Sequence, residues 1–125
     1  MLNISVLPER LGICRLAPDE AFPRWVTESS FFSVTRTLDE LSVVCAEQVI
    51  PEGITSEKGW RCLKVHGPLD LSLTGILLSL LHPLAKANIS VFALSTYDTD
   101  YVLVKDIDLE RAKVILLAEG HKIFG

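Results

Sequence analysis

A chain of 125 residues, 49% hydrophobic and 22% charged, has the size and composition of one ordinary domain or of two small units sharing a core, which excludes a large multidomain enzyme and a disordered polymer. Lys and Arg number 12 against 16 Asp and Glu, a net charge of −4, and no basic run offers a footprint for phosphates, so no nucleic acid partner is expected. Mean hydropathy is high at +0.35, yet the densest apolar stretch, Ile76 to Leu81, ends at His82-Pro83, short of the ~20 residues that span a bilayer. No membrane partner is expected either.

From the N-terminus, Leu2–Leu7 and Leu11–Leu16 are apolar, β-branched runs, and Pro8-Glu9-Arg10 between them predicts two short strands joined by a turn. The opening residues carry no basic region or small-residue cleavage site, so no secretory signal is predicted. Pro18 and Pro23 limit the next stretch to a single helical turn around Phe22–Val26. Phe32, Val34 and Arg36 alternate with Ser33, Thr35 and Thr37, and after Leu38-Asp39-Glu40 the run Leu41–Ala46 completes a predicted β-hairpin. Gln48–Gly59, with Pro51, Gly53 and Gly59, holds no period and reads as the connection between two halves. Cys14, Cys45 and Cys62 fit neither a disulfide framework nor a metal knuckle, which predicts buried, reduced thiols, no metal and a cytoplasmic location.

The second half is more regular. Trp60–His66 alternates as a strand, with Trp60, Cys62, Lys64 and His66 on one face and Arg61, Leu63 and Val65 on the other. Beyond Gly67-Pro68-Leu69-Asp70, the residues Leu73, Ile76, Leu77, Leu80, Leu81 and Leu84 recur at helical spacing, with Pro83 expected to kink or end the last turn. Ile89–Leu94 and Tyr101–Lys105 are predicted strands linked by the polar Ser95–Asp100. Asp108 suits the N-cap of a helix through Leu109, Ala112, Ile115 and Leu116, Gly120 suits its stop, and His121–Phe124 can add a last strand. The string β-α-β-β-α-β predicts an α+β, ferredoxin-like unit at residues 60–125, an antiparallel sheet with helices on one face, beside an incomplete half at residues 1–59.

Two segments, Gly67–Leu77 and Ile89–Val104, resemble the ACT domains of the CASTOR-like type, with a fainter likeness in Phe32–Thr37 and Leu41–Val44. The resemblance implies tandem ACT-like units, no enzymatic activity, no cofactor, and an amino acid or similar zwitterion bound at an interface between paired domains. The mammalian relatives of that type carry four such units and sense arginine, so a two-unit chain is expected to reach a similar arrangement as a homodimer. The alternative is a ligand-free homodimeric assembly module that uses its exposed strand edges.

The candidate ligand-binding residues are Gly67, Pro68, Leu69, Asp70, Thr74, Ser95, Thr96, Asp98, Thr99 and Asp100. The Gly67–Thr74 loop leads into a helix N-terminus, where unpaired amides favour a carboxylate; equally, Gly67-Pro68 is a turn and Asp70 or Ser72 a simple cap. Asp98 and Asp100 offer an ammonium or guanidinium group charge-assisted partners, although Tyr97–Asp100 also reads as a solvated hairpin turn. Catalysis has no support. Cys62 and His66 share a face but stand ~13 Å apart at ~3.3 Å per residue, His82 and His121 read as surface or capping residues, and no nucleophile, phosphate-loop or dinucleotide motif occurs.

Overall fold

A computed structural model describes residues 1–67 and 75–125. The strands are β1 (Asn3–Leu16), β2 (Phe32–Arg36), β3 (Leu41–Ala46), β4 (Thr55–Val65), β5 (Val91–Ser95), β6 (Asp100–Lys105) and β7 (Lys122–Phe124). The helices are α1 (Ile76–Lys86) and α2 (Leu109–Ala118), and short 3-10 turns fill Arg24–Glu28, Glu47–Val49 and Asp106–Asp108. The chain forms two compact units, Met1–Pro8 with Arg61–Gly125, and Glu9–Trp60.

The first unit runs β-α-β-β-α-β from the second half of β4 to β7, with the start of β1 as an additional strand. One core cluster joins Leu63 and Val65 of β4, Val102 and Val104 of β6, Leu80 and Leu84 of α1, and Leu109, Ala112 and Leu116 of α2, with Ile4 of β1. Both helices therefore cover the same sheet face, as the spacing of their apolar residues requires. β5 and β6 pair antiparallel from Val91↔Val104 to Ser95↔Asp100. The sheet is mixed rather than purely antiparallel, because β7 lies parallel to β1, Asn3 opposite Lys122 and Ser5 opposite Phe124. The Lys122 N–H donates to the Leu2 carbonyl at 2.8 Å, so the two ends of the chain close this unit together.

The second unit is a small antiparallel assembly. β2 pairs β3 from Phe32↔Cys45 to Arg36↔Leu41, and β3 pairs the later part of β1 from Leu11↔Ala46 to Leu16↔Leu41. Its core gathers Cys14, Val26, Val43, Cys45 and Ile50, flanked by Leu16, Trp25, Val34, Val49 and Ile54. No α-helix occurs among its residues. Arg36 donates through its guanidinium to the Pro18 and Glu20 carbonyls, which ties down the proline-rich loop. All three cysteines are free and buried.

Several local expectations change. β1 is one continuous strand, not two strands and a turn, and Pro8 falls where neither β7, paired at 3–5, nor β3, paired at 11–16, needs its missing donor. β4 starts at Thr55, five residues before Trp60, because Gly59 with φ 81° is accommodated inside it. α1 is described from Ile76, behind Gly75, and Leu73 together with the expected caps Asp70 and Ser72 lies outside the described residues. Pro83 does not end α1, which continues to Lys86. An interior proline costs ~3 kcal/mol, and burying Leu80 and Leu84 on either side of it returns ~1.5–3 kcal/mol each. Asp108 stands at the N-cap position of α2 but makes no capping bond; its carboxylate instead pairs Arg111 at 3.5 Å. Gly120, at φ 94°, does terminate that helix.

Candidate functional site

The β5–β6 hairpin is closed by its own threonines. The Thr96 N–H donates to the Thr99 carbonyl at 2.9 Å, the Thr96 hydroxyl donates to the same oxygen at 3.1 Å, and the Thr99 N–H donates back to Thr96 Oγ1 at 3.3 Å. The Thr99 hydroxyl reaches across to donate to the Val65 carbonyl at 2.7 Å and is buried. These bonds fix the turn and leave Tyr97 and Asp98 projecting into solvent. One register step down, Ser95 and Asp100 face each other and Ser95 Oγ donates to Asp100 Oδ1 at 2.6 Å. Asp100 is thus already engaged by its neighbour, whereas Asp98 has no hydrogen bond or ion pair among the described residues.

β6 is the sheet neighbour of β4, which brings the hairpin beside the end of that strand. A depression of about 210 Å³ forms there, lined by Lys64, Gly67, Thr96, Asp98, Thr99 and Tyr101. Four of the sequence-derived candidates, Gly67, Thr96, Asp98 and Thr99, meet in it; Ser95 and Asp100 do not line it. Pro68, Leu69, Asp70 and Thr74 lie outside the described residues. Lys64 was not singled out by the sequence, although its strand face was correctly separated from the Leu63 and Val65 core face. Its charge is felt along β4 by Cys62, whose thiol burial pushes up to about 12 against the opposing pull of Lys64. The depression therefore offers an ammonium, a carboxylate without a partner among the described residues and the Thr96 hydroxyl, the complement of a zwitterion. His121, expected as a surface or capping residue, is 7% exposed, and its Nδ1 accepts the Leu2 N–H at 3.1 Å.

The β-α-β-β-α-β segment coincides with a family match: the model of the ACT domain covers residues 55–118, just over half of the chain. The chain belongs to the ACT-domain family. A second family model, described as an N-terminal domain, covers residues 9–53, within the smaller unit. Among curated relatives, the human protein CASTOR3P is 35% identical over 96 residues, 66% of this chain and 59% of its own length. The mouse cytosolic arginine sensor for mTORC1 subunit 1 is 33% identical over 104 residues, 75% of this chain and 31% of its own. The chain spans only 59% and 31% of these two relatives. A crystal structure of a protein from Agobacterium tumefaciens matches with a TM-score of 0.93 at 40% identity, covering 98% of this chain and 92% of that one. The regulatory subunit of aspartate kinase from Thermus thermophilus matches in fold alone, with a TM-score of 0.66 at 9% identity, over 93% and 95% of the two chains. The ACT domain is a regulatory, non-catalytic module, and no helix among the described residues is long and apolar enough to cross a membrane.

Proposed function

We propose that this chain is a cytoplasmic regulatory module that senses an amino acid, with the Lys64, Gly67, Thr96, Asp98, Thr99 and Tyr101 depression as part of its ligand site. The observation that carries this reading is the pairing of an unengaged Asp98 carboxylate with the Lys64 ammonium in one depression of a domain from a regulatory family. Lys64 takes the ligand α-carboxylate and Asp98 its ammonium or guanidinium, while Thr96 supplies a neutral partner. The Gly67–Thr74 loop, with Pro68, Leu69 and Asp70, completes the site in this proposal, and Ser95 with Asp100 braces the hairpin from behind. Relatives named as cytosolic arginine sensors favour a cationic side chain on the ligand and a cytosolic location.

The two units are read as a tandem of ACT-like domains, an incomplete one within residues 1–59 and a complete one at 60–125. Two copies are proposed to associate, because β5 ends the strand order and leaves one edge free to pair. The test is isothermal titration with the twenty amino acids on the wild type and on Asp98→Ala and Lys64→Ala. One selective ligand is expected, weakened about tenfold or more by either change, as the loss of a hydrogen bond to a charged partner requires. Unchanged affinity in both variants, with their stability intact, overturns this site. Light scattering decides whether the bound form is a dimer.

A further inference from the structure

Two of the three thiols stand together. Cys14 on β1 and Cys45 on β3 both lie in the core of the Glu9–Trp60 unit. The strand register puts them on one face of the pair: Cys14 is opposite Val43, two residues from Cys45, and Cys45 is opposite Gly12, two residues from Cys14. They are diagonal neighbours across the ladder, and their thiols are hydrogen-bonded to each other. Cys62 belongs to the other unit, where burial holds its thiol protonated up to about 12 against the pull of Lys64.

The pair is unequal. The hydrogen bond with Cys45 lowers the Cys14 thiol from its ordinary range, burial opposes this and the Lys58 ammonium adds to it, while the same bond and burial raise the Cys45 thiol. Cys14 is therefore the better nucleophile and Cys45 the proton holder. The placement of Lys58 is visible in the packing as well. Gly12, opposite Cys45, has no side chain; Ile50 Cδ1 fills the place of its Cβ, and Lys58 Cγ lies 3.5 Å from that point. The thiols are buried, at 2% and 0% exposure, but the stem of an exposed lysine runs beside them, a flexible cover that a small uncharged molecule can pass.

We infer that Cys14 and Cys45 form a reversible dithiol switch, oxidised by hydrogen peroxide to a disulfide between β1 and β3. The Cys14 thiolate attacks one peroxide oxygen: an S–O bond forms, the O–O bond breaks, and the departing hydroxide takes up a proton as water, leaving a sulfenic acid. The Cys45 sulfur then attacks the Cys14 sulfur, the S–S bond replaces the S–O bond, and the hydroxide leaves with the Cys45 proton as a second water. Two thiols thus give up two electrons and two protons, and one peroxide becomes two waters. Diagonal neighbours stand about 7–8 Å apart at Cα, against ~6.8 Å at most for a relaxed bridge, so the bond draws the strands together, with Gly12 supplying backbone freedom for the shift. A bridge under such strain is readily reduced, and thiols of the glutathione class reopen it.

The test exposes the full chain to hydrogen peroxide at a dose that leaves its circular dichroism unchanged, then denatures it, alkylates the remaining thiols and maps the peptides. The expected result is a bridge within one chain between the Cys14 and Cys45 peptides, alkylation of Cys62 alone, and recovery of all three thiols with dithiothreitol. The map of the wild type needs no variant to fold. Three alkylated thiols after peroxide, or a bridge that includes Cys62 or joins two chains, overturns the proposal. Cys45→Ser is expected to stop at a Cys14 sulfenic acid that dimedone traps; a dimedone label on Cys45 in Cys14→Ser, with none on Cys14 in Cys45→Ser, overturns the order of attack. Lys58→Met, at an exposed position, is expected to slow bridging about twofold to fivefold by removing the charge near Cys14, and an unchanged rate overturns the role given to Lys58.

Discussion

Thr99 and Asp98 are adjacent in the chain and opposite in role. The Thr99 hydroxyl is committed to the Val65 carbonyl inside the protein, so Thr99→Val should cost about 1–2 kcal/mol by leaving that acceptor unpaired, measured as a lowered urea midpoint. Asp98 is exposed and unengaged, so its removal should leave the same midpoint unchanged while altering ligand affinity. The thiols give a pH signature. Burial holds Cys62 protonated up to about 12, while the hydrogen bond between Cys45 and Cys14 pushes the Cys45 thiol up and the Cys14 thiol down, two opposed effects within one pair. An acid whose folded pKa is raised adds stability that is complete below its unfolded pKa near ~8.5 and is lost as pH climbs toward the folded value. Unfolding free energy should therefore fall above pH ~9, and Cys62→Ala should flatten that fall relative to wild type by up to ~1.4 kcal/mol per pH unit. Titration of the unfolding midpoint in both proteins checks it.

At the scale of elements, two backbone positions set the limits. A Cβ at Gly12 would overlap Cδ1 of the buried Ile50, so Gly12→Ala should destabilise by about 1–3 kcal/mol through overpacking. Asn88 follows the C-terminus of α1 at φ 59°, where Asn88→Val should cost ~1–2 kcal/mol and Asn88→Gly should not; thermal unfolding distinguishes them. The helices and the strands from β4 onward were legible because their apolar residues repeat at 3.6 or at 2 over enough positions to define a face. The continuity of β1 through Pro8 was not, since local turn chemistry says stop and only non-local pairing shows that Pro8 falls between the stretches that β7 and β3 use. The early start of β4 was hidden in the same way by Gly53, Ser56 and Gly59. For the site, the polarity of Thr96–Thr99 marked the hairpin, but two of its features needed the fold. Lys64 enters only because β4 neighbours β6, and Thr99 is consumed by a backbone acceptor 34 residues away.

Across the whole molecule, the Met1–Pro8 arm belongs to the unit completed by Arg61–Gly125, so the Glu9–Trp60 unit is inserted in its sequence. Ile4 is fully buried in that larger unit's core, with Leu2 and Val6 packed against the same cluster. Deleting residues 1–8 should remove at least the ~1.5–3 kcal/mol carried by Ile4 alone and free the β7 backbone. Native-state hydrogen exchange is expected to show the Lys122 amide, now donating to the Leu2 carbonyl, losing its protection while amides in β2 and β3 keep theirs. The same arrangement has a meaning during synthesis. β1 is made well before its partner β7, with the whole inserted unit between them, and at ~5–20 residues per second the interval is on the order of ten seconds. From the moment Trp60 is made the inserted unit has all of its residues, while the apolar Met1–Pro8 arm still waits for β7, an adhesive segment open to a nascent-chain chaperone.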